Sequence, residues 1–504
     1  MPLGIYLHFD GLSFIMVSLT GLLGTMVVLY SLKDIKDNRR TYYPLLILAL
    51  LSMILTFLSA DLLSFYIFLE IATVTSYFLI IHEKTEIAFR AGMKYIIMTL
   101  AGAGMILLSI FLVYHLTGSY KFSMLVKLHS LEDKHLLWTI YLLFLGGCAV
   151  KAGIAPLHSW LPEAHPAAPS PVSALLSGIS IKMGIYGLLR FFYSGELLLG
   201  AKSISSIILG LGVISMLIGV LLALLATDTK RILAFSSISQ MGYILLGLGT
   251  GTTLGLAGGI YHIINHSLFK GLLFLCIGAV LHSTGERNLV NLGGLGKKMP
   301  LIAVTSLVAS FSISGIPPFN GFISKGLLLK SISGVPWLNF VFTLTCAGTI
   351  AVFLKLYSHI FLGTLPERLS RQVQIKKIPL LMLIPLLILS LVCVLLGVLP
   401  GLVLGKLIFP TIGREIHFFS GKEHYINTII TIIAGFLIYL LSARTGLLFG
   451  KERLQCLTLN KFYSRLASVF VKTSTGIKML DHQDLSTYLL WALIFLVVLL
   501  VIIC

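Results

Sequence analysis

Three titratable residues, His262, His266 and Lys270, follow one another at four-residue intervals inside "GGIYHIINHSLFKGLLFL" (258–275). That run is apolar enough to cross a bilayer, and the spacing puts all three along one side of a helix. A titratable group in hydrocarbon costs about 3 kcal/mol or more, so such residues mark ion pathways, relays or ligand sites. Others share the property. Lys151, Lys182, Lys325 and Lys355 lie within apolar runs, and Glu70 sits inside "FYIFLEIATVTSYFLI". Histidine passes a proton through either ring nitrogen, and lysine changes charge state according to burial and the nearness of a carboxylate. The set therefore suits proton relay, with a Glu70–Lys151 pair able to hold or release a proton as it closes or opens. Lys94 and Lys330, near span ends, read instead as side chains reaching for the interface.

Other chemistries fit less well. The six cysteines are scattered, without a Cys-x-x-Cys or metal-ligand spacing, so no iron–sulfur cluster, no other cofactor and no metal is expected in this chain. His262 and His266 make two ligands at i, i+4, but no acidic third ligand lies near them in sequence for zinc. Haem would need axial ligands on facing helices. A glycine loop of the Walker type is missing.

The elements that must position these residues are membrane helices. The chain has 504 residues, 57% hydrophobic and 11% charged, against roughly 25% charge in soluble domains. The period-two alternation of a transmembrane barrel is absent, so the expected fold is an all-α polytopic membrane protein of about fourteen transmembrane helices. The spans fall near 11–30, 43–59, 61–82, 88–115, 137–165, 171–192, 204–226, 231–249, 254–282, 300–333, 337–361, 379–400, 425–444 and 486–503. The formal net charge of +18 is then a matter of topology rather than nucleic-acid binding. Loops on one side hold Lys33, Lys36, Arg39, Arg40, Lys230, Arg231, Lys297 and Lys298, with most of the other loop charges. The positive-inside rule puts that side in the cytoplasm and both termini outside.

Two spans look broken. "GIAPL" at Gly153 interrupts the fifth and "GIPPF" at Gly315 interrupts the tenth, because proline cannot continue a regular helix. Each break precedes a span with a mid-helix lysine, Lys182 or Lys355. Two units of five spans, 43–192 and 204–361, thus share one order of features, and an odd number of spans gives them opposite orientation. Paired broken helices are the sequence mark of inverted-repeat transporters. Around the repeats, residues 1–42 hold an N-terminal span and 362–444 two further spans. Residues 445–485 read as an amphipathic lateral helix at the cytoplasmic surface and 486–504 as an anchoring span.

Four stretches resemble one family. They are "APLHSWLPEAHPAAPSPVSALLSGISIKMGIYGL" (155–188), "ATDTKRILAFSSISQMGYILLGLG" (226–249), "YHIINHSLFKGLLFL" (261–275) and "GIPPFNGFISK" (315–325). They are similar to the antiporter-like subunits of respiratory complex I, Mrp-type sodium/proton antiporters and membrane-bound hydrogenase-type complexes, over roughly residues 8–400. The resemblance implies two half-channels joined by a polar axis at mid-membrane. It assigns Glu70 to the glutamate of the first repeat and Lys151 to the lysine beside the first break. Lys182 takes the bridging position, His262, His266 and Lys270 the central group, and Lys325 the terminal lysine. His158 and Asp228 lie in matching motifs with less defined roles. In the family "FDGLSFIMVSLTGLLG" follows two earlier spans, which are expected to be missing here.

The function expected is ion translocation, of protons or sodium, in the plasma membrane of a prokaryote. The chain would be a subunit of a multi-subunit, redox-driven complex, beside related antiporter-like subunits and with iron–sulfur subunits elsewhere. A stand-alone Mrp-type antiporter without redox chemistry is the alternative. A purely structural role in bracing a membrane arm remains open.

Overall fold

The computed structural model describes residues 5–130, 133–193, 202–366, 377–413 and 422–445. The expected lateral helix and final span lie outside the described residues. Within them the protein is helical, and strand pairing is limited to isolated bridges such as Leu7 with Ser59 and Asp228 with Asn288.

The first four helices are α1 (Gly11–Asp34), α2 (Arg39–Leu58), α3 (Leu62–Ile80) and α4 (Glu86–Thr117). The first break and its flanks comprise α5 (Lys134–Ala152), α6 (Leu161–Ala167), α7 (Ser170–Leu175) and α8 (Ile181–Phe192). A π turn, Leu176–Ser180, joins α7 to α8. Then come α9 (Lys202–Leu225), α10 (Thr229–Gly249), α11 (Thr253–Thr284), α12 (Pro300–Ser314), α13 (Asn320–Ser331) and α14 (Pro336–Phe361). The last are α15 (Leu380–Val398), α16 (Pro400–Ile412) and α17 (Lys422–Arg444).

Twelve helices among the described residues are long and apolar enough to cross a membrane. The expected 300–333 span is not one of them, because it is divided into α12 and α13, of 15 and 12 residues. Helix starts follow from local chemistry. Asp10, Asp61, Thr85, Asp228 and Thr252 each turn a side-chain oxygen onto the backbone N–H three residues on, satisfying a donor that hydrocarbon cannot.

Both breaks end the preceding helix in the same way. Gly153 and Gly315 take φ of 65° and 78°, the left-handed region that only glycine enters without a Cβ clash. Gly153 N–H donates to Val150 O and Ile154 N–H to Ala149 O; Gly315 N–H donates to Ser312 O and Ile316 N–H to Phe311 O. Both are Schellman endings.

Burial sorts the helices. The apolar stretches of α7–α8, α10 and α11 are wholly enclosed, whereas α17 buries only 11% of its own. The outer faces of α2, α4, α15 and α17 carry Ile47, Leu51, Ile97, Phe111, Leu391, Ile429 and Ile433. This is the pattern of a bundle whose rim faces hydrocarbon and whose polar side chains turn inward. α11, with 32 residues, is at the centre, packed against α1, α7, α10, α12, α13 and α15.

Candidate functional site

The stripe on α11 is buried entirely: His262, His266 and Lys270 have no exposed surface. Each meets a different neighbour. His262 Nε2 is 3.0 Å from Gln240 Oε1 on α10, and its Nδ1 is 3.0 Å from Ser324 Oγ on α13. His266 Nδ1 lies 2.5 Å from Lys182 Nζ on α8. Lys270 donates to Leu233 O at 2.7 Å and to the Ser236 hydroxyl, both on α10.

Hydroxyls complete the connections. Lys182 also donates to Ser177 O in the π turn. Ser177 Oγ is 2.9 Å from Ser237 Oγ, which donates to the same Leu233 carbonyl that Lys270 uses. Lys270 and the hydroxyls of Ser236 and Ser237 thus converge on the Leu233 carbonyl, and Ser177 connects them to Lys182 and His266 through its hydroxyl on one side and its backbone carbonyl on the other. On the other side, Ser324 precedes Lys325 in the chain and accepts from Asn265 Nδ2 at 3.0 Å. Lys325 Nζ sits 4.9 Å above the Tyr243 ring and 3.4 Å from Ser314 O, the last residue before the second break.

The first repeat's groups lie apart from this line. Lys151, at the end of α5, donates to Thr73 Oγ1 at 2.6 Å and contacts Tyr95 Oη at 3.4 Å. No Glu70–Lys151 ion pair within 4 Å exists among the described residues, and Glu70 Oε1 is buried without a hydrogen-bond partner. The structure thus has this pair open, with Thr73, one turn after Glu70 on α3, holding the lysine. No hydrogen bond among the described residues joins Lys151 to Lys182.

Three of the expected residues are in local structural contacts. Lys355 donates to Leu224 O and Ala226 O at 2.7 and 2.6 Å, closing the C-terminal end of α9. Asp228 caps α10 through Arg231 N–H and pairs with Arg287 Nε at 2.9 Å. His158 is buried in the first break, 4% exposed. Lys94 reaches across to Glu163 of α6 at 2.7 Å rather than to the interface.

Sequence reasoning missed two residues. Lys230, assigned to a cytoplasmic loop, is 2% exposed in the first turn of α10 and donates to Ala168 O at 2.7 Å. His165 is fully buried, with both ring nitrogens unpartnered, and stacks 4.8 Å from Phe274, one turn beyond Lys270. The signal for both was present in the motifs that resemble the family, since His165 and Lys230 belong to "LPEAHPAAP" and "TDTKRIL". His266 Nε2, Gln240 Nε2, Asn265 Oδ1 and the Asn320 side-chain amide are likewise buried without protein partners. Buried polar atoms of this kind are the ones that ordered water serves. The arrangement gathers amines, imidazoles and hydroxyls of α8, α10, α11 and α13 in one enclosed polar cluster.

Comparison with known proteins gives the family. The family described as NADH:quinone oxidoreductase/Mrp antiporter, TM, matches residues 59–351. Hydrogenase-4 component B of Escherichia coli K12 is 33% identical over 425 residues, 78% of this chain and 62% of that protein, so the match spans less than two thirds of that relative. A Na(+)/H(+) antiporter subunit of Alkalihalophilus pseudofirmus is 34% identical over 333 residues, 65% of this chain and 67% of that protein. Among solved structures, a chain of the membrane-bound sulfane sulfur reductase, an archaeal respiratory membrane complex, superposes with a TM-score of 0.78. It is 27% identical, and the match covers 98% of this chain and 89% of that one. With the family match over more than half its length and the titratable residues buried along its central helices, this chain belongs to the NADH:quinone oxidoreductase/Mrp antiporter transmembrane family.

Proposed function

We propose that the chain is an ion-translocating, antiporter-like subunit of a multi-subunit membrane complex. In this reading protons, or sodium in exchange for them, move by way of Glu70, Lys151, Lys182, His266, His262, Lys270 and Lys325. The observation that carries it is the wholly buried cluster in which the Leu233 carbonyl and Ser177 connect Lys270 to Lys182 and His266. A structural brace has no need of three amines and two imidazoles in one enclosed axis, each expensive to bury.

The two five-span units, 43–192 and 204–361, act as inverted repeats, each contributing a half-channel. The matching Schellman endings at Gly153 and Gly315 support this, as does the lysine next to each break, Lys151 before the first and Lys325 after the second. The gap between Lys151 and Lys182 is crossed by water when the first repeat changes state, with Glu70 closing onto Lys151 in one state and Thr73 holding it in the other. The neighbours are other membrane subunits, and the plasma membrane is the setting, with the lateral segment on the cytoplasmic side.

Likeness to a hydrogenase component favours a redox-driven complex, and likeness to an antiporter subunit favours a stand-alone antiporter. Purification of the chain with its native partners separates the two, because iron–sulfur subunits accompany it only in the first. The test of the relay is proton movement by the purified complex in liposomes. Lys151→Ala and Lys270→Ala abolish transport while the complex still assembles; full transport in both variants sinks the proposal.

A further inference from the structure

The connection between α6 and α7 is short of donors. Residues 165–169 read "HPAAP", and Pro166 and Pro169 have no N–H to offer. The carbonyls of this segment must find partners elsewhere. The Ser173 hydroxyl approaches Ala168 O at 3.3 Å, but its single proton is shared with His165 O and Pro169 O. Two cations from the second five-span unit reach across instead. Lys230 Nζ donates to Ala168 O at 2.7 Å, and Arg287 Nη1 donates to Pro166 O at 3.2 Å.

Lys230 and Arg287 belong to one piece of structure. The α9–α10 turn and the segment after α11 are joined through their backbones: Thr229 N–H donates to Arg287 O at 3.0 Å and Leu289 N–H to Thr227 O at 2.9 Å. Arg287 Nε pairs with Asp228 Oδ2 at 2.9 Å, and Asp228 caps α10. Lys355 fixes the near end of the same turn through Leu224 O and Ala226 O. The α6–α7 connection is thus gripped at two carbonyls by a unit fastened to the start of α10.

The grip sets a register. α7 and α10 both start beside it and lead to the buried cluster. Seven residues on from Lys230, about 10 Å along the helix, Ser237 Oγ lies 2.9 Å from Ser177 Oγ in the π turn that follows α7. Ser177 O accepts from Lys182, which reaches His266. The contact between the two units therefore depends on where α7 sits along α10, and the Lys230–Ala168 bond fixes that position.

We propose that Lys230 and Arg287 are positioning residues for ion movement: a clasp by which the second unit holds the first in the register where Ser177 meets Ser237 and Lys182 meets His266. The inference rests on the relay reading above. Neither residue carries the ion; each acts through backbone carbonyls of the α6–α7 connection.

The test uses the complete complex in liposomes, with transport per assembled complex and the melting temperature read on the same samples. Lys230→Met keeps the length of the side chain and removes the donor. Transport is expected to fall on the order of tenfold in protein that is still folded. In a Ser177→Ala background, where the link is already gone, Lys230→Met costs no further rate. A brace without a positioning role predicts a lower melting temperature at the wild-type rate. That result, or a loss that persists in full in the Ser177→Ala background, overturns the clasp. If Lys230→Met fails to assemble, Arg287→Met carries the test, with a several-fold loss expected and a wild-type rate overturning it. Lys270→Ala distinguishes the two levels of the argument. When it is inactive and Lys230→Met is normal, only the clasp fails; when it transports at the wild-type rate, the relay itself fails.

Discussion

Lys182 Nζ and His266 Nδ1 share a hydrogen bond across the α8–α11 contact, 2.5 Å between the nitrogens. Such a bond requires one donor and one acceptor, so Lys182 and His266 cannot both present N–H to each other. In the relay proposed above the pair would hold one proton between them. Removal of either partner therefore has the same consequence. Lys182→Ala and His266→Ala each reduce transport by at least about tenfold, and the double variant is no worse than the singles, as expected for residues in one network. Rates in reconstituted complexes check this, and additive losses would separate the two groups.

Lys151 donates to Thr73 in this structure rather than forming an ion pair with Glu70. Thr73→Val keeps the shape and removes the acceptor at 2.6 Å from Nζ. Transport is expected to fall several-fold in Thr73→Val and to remain near wild type in Thr73→Ser, measured per assembled complex.

Lys355 has a capping position at the end of α9. Lys355→Ala leaves the Leu224 and Ala226 carbonyls without that donor, a change of about 1–3 kcal/mol for buried groups. The expected outcome is a lower melting temperature of the purified complex with transport per folded molecule retained. A variant that is stable but inactive would put Lys355 back in the relay.

The glycines that end α5 and α12 are needed for their backbone. Gly153→Ala and Gly315→Ala each force a Cβ into the left-handed region, costing about 1–2 kcal/mol, and the Cβ at 153 would also meet Leu161 at 2.6 Å. Yields of assembled protein are expected to fall in both, visible by size-exclusion chromatography of the detergent-solubilised complex.

Asp10, just before α1, pairs with Arg190 at 2.6 Å. Burial alone would push its carboxyl up, but the hydrogen bonds from Arg190 and Ser13 outweigh this and hold it well below the usual carboxylate range. A depressed folded-state value contributes stability above the unfolded value, about 3.9, and loses it only as pH falls toward the folded one. Asp10→Asn therefore melts earlier than wild type by a margin that is constant from about pH 8 to about pH 5 and narrows only below about pH 4. A margin that closes between pH 7 and 5 would contradict the pairing.

A charged residue in an apolar run is conspicuous because its burial is costly. For that reason the membrane class, most of the spans and the residues Glu70, Lys151, Lys182, His262, His266, Lys270 and Lys325 were legible in the amino-acid order alone. The breaks were legible too, since Gly and Pro have few other uses inside a long helix. Neutral polar side chains carry no such signal. Ser177, Ser236, Ser237 and Thr73 are ordinary membrane-helix residues until packing places them between amines. Lys230 read as a loop residue and His165 as the end of the 137–165 span, because their enclosure comes only with the packed helices. The same applies to the open Glu70–Lys151 pair and to Lys355 as a cap. These are contacts between residues 78 to 131 positions apart, and only the folded bundle brings them within hydrogen-bond reach.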